Sequence, residues 1–250
     1  MPFVTDGSVH HSGVRNEHTV ADLLSAATPT CIQAAYPDSA LTFLHRGGTR
    51  GVDDVEIHVG GTRVSGISIK HHGSSGTFDY INTSKVLESL PDAEGLCGRV
   101  AELRTLHFGD ESAIPAVRKT IRDGVRGLWA TMTSDRIRAL LQRVNERNSE
   151  WVCIKTPTGL VTTRHEALTE LSLYPFDSKT TYELRGTADS RQIWRTTDGR
   201  AVNTHLRVRL ALNNGVTALL GLSSANKTSN LTVKIQQDNV RGLLDALAES

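Results

Sequence analysis

No apolar run in this chain approaches the roughly 18 residues that cross a bilayer as a helix. No segment reads as a membrane span, and no membrane partner is expected. The opening residues, Met1-Pro2-Phe3-Val4-Thr5-Asp6, lack the basic and apolar stretches of a secretory leader, so cytoplasmic residence is the expectation. Cysteine is scarce. Cys31, Cys97 and Cys153 are odd in number and far apart, which argues against a disulfide framework or a zinc cluster and for buried thiols. A P-loop, a dinucleotide-type glycine pattern and a nucleophile-elbow motif are all missing. Net charge is only +1, so overall charge does not announce a nucleic-acid binder.

What is present describes an ordinary globular protein. The 250 residues, 38% hydrophobic and 22% charged, suffice for one generous core or two small ones. With no repeat, low-complexity tract or evident linker, a single domain over residues 1–250 is expected. Charge is unevenly spread. From Lys179 to Arg241 ten basic residues face four acidic ones, a local surplus that can serve phosphates or simply a solvated surface.

Apolar spacing predicts a helix from about Asn16 to Ala27, with Val20, Leu23 and Leu24 on one face, and a short strand from Ala40 to His45. His10-His11 reads as disordered. Asn82-Thr83-Ser84 reads as a helix start, with capping the commoner use and phosphate binding the other. The middle is helical and basic, over Ala116–Met132 and Thr133–Asn148. Strands are expected at Trp151–Lys155, Thr181–Arg185, Arg191–Trp194, Leu206–Leu212 and Leu231–Ile235, and a last helix at Asn239–Ala248.

The most informative stretch runs from Asp53 to Lys70. Two apolar-alternating segments flank Gly60-Gly61, a strong hairpin signal. Val55, Ile57 and Val59 share one face of the first strand, and Ile67 and Ile69 one face of the second. If these form one buried layer, Asp54 lies on the side of Ser68 and Lys70. That alignment requires an odd-length loop, such as a three-residue loop with a bulge. A strict two-residue turn would set Asp53 opposite Ser68 instead, so both acids stay open, with Asp54 preferred. Each residue also has a plain reading. Lys70 can snorkel to solvent, and Asp53 and Asp54 can be turn residues.

An acid, a strand and turn, and then Ser68-Ile69-Lys70 on the next strand resemble the PD-(D/E)XK nuclease superfamily, which includes most type II restriction endonucleases. The similarity extends upstream to Gly13-Val14-Arg15-Asn16-Glu17-His18-Thr19-Val20-Ala21, where that family often carries a glutamate on its first helix. The resemblance covers about residues 13–90. It implies an α/β, restriction-endonuclease-like mixed central sheet flanked by helices. In that layout the helical middle is 96–148, and 150–250 is a strand-rich recognition part. It implies Mg²⁺ held by Asp54, by Glu17 and by the Ile69 carbonyl, with Lys70 orienting the attacking water. The family's second acid position falls on Ser68, which carries no charge. Glu56 or Glu17 is then the candidate replacement, and a site that has lost activity is the alternative.

The expected substrate is double-stranded DNA, met by a homodimer whose two-fold axis matches a palindrome. Arg118, Lys119, Arg122 and Lys85 are candidate phosphate contacts. Arg207 and Arg209 are candidate base-edge readers, since arginine suits guanine. A non-catalytic nucleic-acid-binding module on the same fold, and a repair, homing or RNA-directed nuclease, are the alternatives.

Overall fold

The hairpin closes through Gly60 and Gly61, whose φ angles of 56° and 82° are both positive. Two successive left-handed residues make the type I′ turn that matches strand twist, and glycine adopts them without strain. In the computed structural model the described residues are 8–46, 53–71, 77–83, 90, 93–146, 149–156, 158–168, 179–186, 190–212, 215–222 and 231–249. They fall into two compact units, each assembled from separated stretches. The first comprises 1–78, 144–174 and 239–250, and the second 79–143 and 175–238. One domain was expected because no linker shows. A division that the chain crosses several times has no single linker to show.

In the first unit, helices α1 (Ser8–Ala26) and α2 (Thr30–Ala35) precede strands β1 (Leu41–His45), β2 (Val55–Val59) and β3 (Thr62–His71). His10 and His11 are therefore helical rather than disordered. The sheet is mixed, in the order β1-β2-β3-β5-β6, with β5 at Trp151–Thr156 and β6 at Gly159–Arg164. Strand β3 runs parallel to β5, and the other neighbours are antiparallel. Strands β5 and β6 thus join the N-terminal hairpin and not the C-terminal strands with which the sequence groups them. Val20, Ala21 and Leu24 of α1 and Ile32 of α2 pack with Phe43, Val55, Ile57, Ile67, Trp151 and Cys153, all nearly inaccessible to solvent. The α1 residues recur at the three- and four-residue spacing of one helical face, and the sheet residues at the period of two that puts them on one side.

The expected buried layer exists, but by another route than a long loop. Val59 pairs with Thr62, so the turn has two residues. The register then shifts between Ile57 and His58, whose partners are Ser65 and Arg63, leaving Val64 as the extra residue of a β-bulge. Beyond the bulge Val55 faces Ile67 and Glu56 faces Gly66. A bulge adds the one residue that a two-residue turn lacks, and so restores the apolar residues of both strands to one face.

The second unit holds β4 (Phe78–Thr83), β7 (Thr181–Arg185), β8 (Ser190–Thr197), β9 (Arg200–Leu212) and β10 (Leu231–Gln237), in the order β4-β10-β9-β8-β7. Asn82 and Thr83 belong to β4, and Ser84 with the helix expected after it lies outside the described residues. Helices α3 (Ala93–Leu106), α4 (Ile114–Ala130), α5 (Ser134–Glu146) and α6 (Gly215–Leu219) contribute Leu96, Val100, Val117, Ile121, Val125, Leu128, Trp129, Ile137, Leu140 and Leu219 to its interior. A Ser134 hydroxyl accepts the Tyr182 N–H at 3.0 Å, and Arg138 donates to the Thr180 carbonyl at 2.6 Å, tying α5 to the start of β7. Helix α7 (Val240–Glu249) returns to the first unit.

Candidate active site

Asp54 stands one residue before β2, where the ladder with β3 runs out. Its N–H donates to the Ile67 carbonyl at 3.0 Å, and its own carbonyl accepts the Arg46 N–H at 3.0 Å. Its side chain continues the ladder. The Ile69 N–H donates to Asp54 Oδ2 at 2.6 Å, and the Ser68 hydroxyl approaches the same oxygen at 3.5 Å. Burial pushes the Asp54 carboxyl above its ordinary value. The Ile69 amide and the Lys70 charge draw it back, while the Glu17 carboxylate adds to the rise. Asp54, Lys70 and Glu17 therefore share one electrostatic neighbourhood.

Ser68 and Lys70 lie on the face of β3 opposite Ile67 and Ile69, beside Val152 and Ile154 of β5. Ser68 is buried and Lys70 half-buried. Glu17 extends the apolar face of α1 by one turn, since 17, 20, 21 and 24 follow helical spacing. Its Oε2 meets His45 Nε2 at 3.0 Å, and the His45 ring stacks on His18 with centroids 3.7 Å apart. The alternation of β1 puts His45 on the buried face with Leu41 and Phe43, a placement visible in the sequence. That Glu17 is its partner emerges only once α1 has docked.

Asp53 has a different partner. It pairs with Arg63, and its carboxylate lies where a side chain at residue 66 would stand, so a methyl added to Gly66 would strike it. Glu56, the other acid considered as a replacement for the missing charge, is already engaged. Its Oε2 accepts from Arg46 Nε and His58 Nε2, each at 2.9 Å, and its Oε1 lies 3.6 Å from Arg63 Nε. These bonds hold the Glu56 carboxyl below its ordinary value, with the His58 bond the largest contribution and that to Arg46 next. Glu17 is left as the acid nearest Asp54 in effect.

His165 escaped the sequence reading. It follows β6, its N–H donates to the Glu150 carbonyl at 2.8 Å, and its side chain is buried. Burial, reinforced by the Lys70 charge, depresses its imidazole to about 4. A buried neutral imidazole close enough to feel Lys70 has no motif to betray it.

The candidate DNA contacts are scattered over the second unit. Arg118, Lys119 and Arg122 occupy the exposed side of α4, where Lys119 pairs with Asp123 at 2.7 Å. Arg207 and Arg209 share one face of β9, opposite buried Leu206, Val208 and Leu210. Arg207 is tied to Asp238 at 3.2 Å, and Lys234, the β10 partner of Arg209, to Asp79 at 2.9 Å. Part of the local positive surplus is therefore neutralised in place. Lys85 lies outside the described residues.

No family model, curated protein or solved structure matches this chain. Among the described residues, no three His, Cys, Asp or Glu side chains are grouped so as to hold a metal ion. The acids coupled at this point are Asp54 itself and, through space, Glu17, both oxygen donors. So sparse an oxygen set suits magnesium, which keeps several waters and commonly takes one or two protein carboxylates. It does not suit zinc, which wants four nitrogen, sulfur or oxygen ligands.

Proposed function

We propose that this protein is a Mg²⁺-dependent endonuclease that hydrolyses DNA phosphodiester bonds, on a restriction-endonuclease-like α/β framework, and that its leading form is a sequence-specific type II restriction enzyme acting as a homodimer. One observation carries the reading. Asp54, Ser68, Ile69 and Lys70 meet at the end of a single hairpin, with the charge of Glu17 felt at Asp54.

Asp54, the Ile69 carbonyl and Glu17 would hold the ion. When bound, Mg²⁺ supplies Lewis-acid stabilisation of the phosphoryl oxygens and a water of lowered pKa. The chain's own groups do the rest. Asp54, raised by burial and by Glu17, gains from any cation at its free lone pairs. Lys70, on the same side of β3 as Ser68, orients water and shares the charge that develops on the phosphate. His45 keeps Glu17 in one rotamer. Arg118, Lys119, Arg122 and Lys85 would touch backbone phosphates, and Arg207 and Arg209 base edges.

A second reading has its own support. Asp54 Oδ2 already accepts the Ile69 amide, as a strand-end cap would, and Ser68 brings no second charge. Both features suit a non-catalytic nucleic-acid-binding module. Incubation with unmethylated phage DNA in Mg²⁺ or in EDTA, beside Lys70→Ala, separates the two. Discrete fragments that need both Mg²⁺ and Lys70 support restriction, and a smear supports a non-specific nuclease. DNA bound but intact in Mg²⁺ supports the module.

A further inference from the structure

Beside Asp54, on the outer face of the same hairpin, five charged or ionisable side chains form one network with an unusual division of burial. The acids are sunk and the guanidinium groups are not. Side-chain exposure is 12% for Asp53 and 17% for Glu56, but 61% for Arg46 and 52% for Arg63. His58, at 10%, fills the base, with Nε2 on Glu56 and Nδ1 3.2 Å from the Gly61 carbonyl. Glu56 binds both arginines, one on each oxygen, and so draws together two like charges that would otherwise repel. Asp53 takes the second bond to Arg63.

The chain gives up a side chain to build this. Gly66 sits in the middle of β3, where glycine weakens a strand relative to alanine, and the freed space is filled by the Asp53 carboxylate. An ordinary exposed ion pair of long side chains is loosely held and contributes little. Here the acids are much less exposed than the cations they hold. The network also begins at the candidate site, because the Arg46 N–H is bonded to the Asp54 carbonyl. Gly66 lies on the same face of β3 as Ser68 and Lys70.

We propose that Arg46 and Arg63 form an anion cradle for a nucleic-acid phosphodiester group neighbouring the one at Asp54 and Lys70, held in place by Glu56 and Asp53. This rests on the nuclease reading and adds to it the surface that seats the backbone beside the scissile bond. Guanidinium groups ordered by carboxylates from behind still offer N–H donors in front, in the planar fork that matches phosphate oxygens.

The test is binding of a fluorescein-labelled DNA duplex by the full chain in EDTA, across a salt series. It compares wild type with Arg46→Gln, Arg63→Gln, the double variant, Glu56→Gln and the control Arg164→Gln, all checked for folding by circular dichroism. Each cradle arginine should lower the slope of log K against log salt by about 1 and the pair by about 2, with Arg164→Gln unchanged. Glu56→Gln is the sharper arm. It makes the protein more positive, so simple charge attraction demands tighter binding, whereas a cradle that has lost its base binds several-fold more weakly. Wild-type slopes in both arginine variants, or tighter binding by folded Glu56→Gln, overturn the cradle and leave the nuclease reading standing. A wild type that neither binds nor cleaves duplex overturns both.

Discussion

His165 offers a stability measurement whose size follows from the structure. The imidazole is buried and sits in the field of Lys70, both of which favour its neutral form and depress it from 6.5 to about 4. Above pH 7 it is neutral in folded and unfolded chains alike and contributes no pH dependence. As pH falls below 6.5 the unfolded chain takes up a proton that the folded chain refuses until about pH 4. The unfolded state binds more protons in that window, so stability falls with falling pH. At 1.36 kcal/mol per unit the loss is about 2 kcal/mol at pH 5 and about 3 kcal/mol once both states are protonated.

Urea unfolding of wild type and His165→Asn at pH 7.5 and pH 5.0 isolates this group, since every other titration is common to both proteins. The variant is expected to be the less stable at pH 7.5. Its deficit should shrink by about 2 kcal/mol at pH 5.0, because asparagine has no proton to refuse. Equal deficits at the two pH values would refute a buried neutral imidazole. Repeating the pair in a Lys70→Met background should change the pH effect only slightly, since burial is the larger cause.

Four further outcomes are expected. If the proposed nuclease activity holds, Asp54→Asn and Lys70→Ala each reduce DNA cleavage in Mg²⁺ by about 10²–10³-fold with duplex binding retained, measured by single-turnover assay. Ser68→Asp places a second carboxylate beside Asp54. It should tighten Mn²⁺ binding, followed by electron paramagnetic resonance, while lowering the melting temperature of the metal-free protein, because the new charge is buried. Gly66→Ala should displace Asp53 and free Arg63, costing about 1 kcal/mol in urea unfolding. Cys153, pushed up to about 11 by burial, should resist iodoacetamide until the protein unfolds, while exposed Cys31 reacts first.

Much of both units was legible because local pattern and final structure agree. Period-two alternation marked β2 and β3, the segments of β1 and β5 read as strands, and helical spacing marked α4 and α5 within a few residues and the end of α1, which starts at Ser8 rather than near Asn16. The pairing of Asp54 with Ser68 was legible in part. The need to bury Val55, Ile57 and Ile67 together demanded one extra residue between the strands, and a bulge at Val64 supplies it. Where it is supplied could not be read, since Val64 looks like any other strand residue. Asn82 and Thr83 suit a cap when read locally, but their own segment is a strand beside β10, about 150 residues away in the chain.

The sequence by itself determined the alternation that sends Ser68 and Lys70 to one side of β3 and Ile67 and Ile69 to the other, the glycine turn that returns the chain, and the apolar stripe of α1 that Glu17 continues. Each depends on residues within one or two turns of the chain, where bond geometry alone sets direction. Tertiary structure decided which groups meet. It brought Glu17 to His45, set His165 within the field of Lys70, placed β5 beside β3 from 84 residues away in the chain, and laid Asp53 across Gly66 to reach Arg63. Those contacts join residues that share no local period. They form because burying Val20, Leu24, Phe43, Ile57, Ile67 and Trp151 in one layer leaves the polar groups around it a single way to be satisfied.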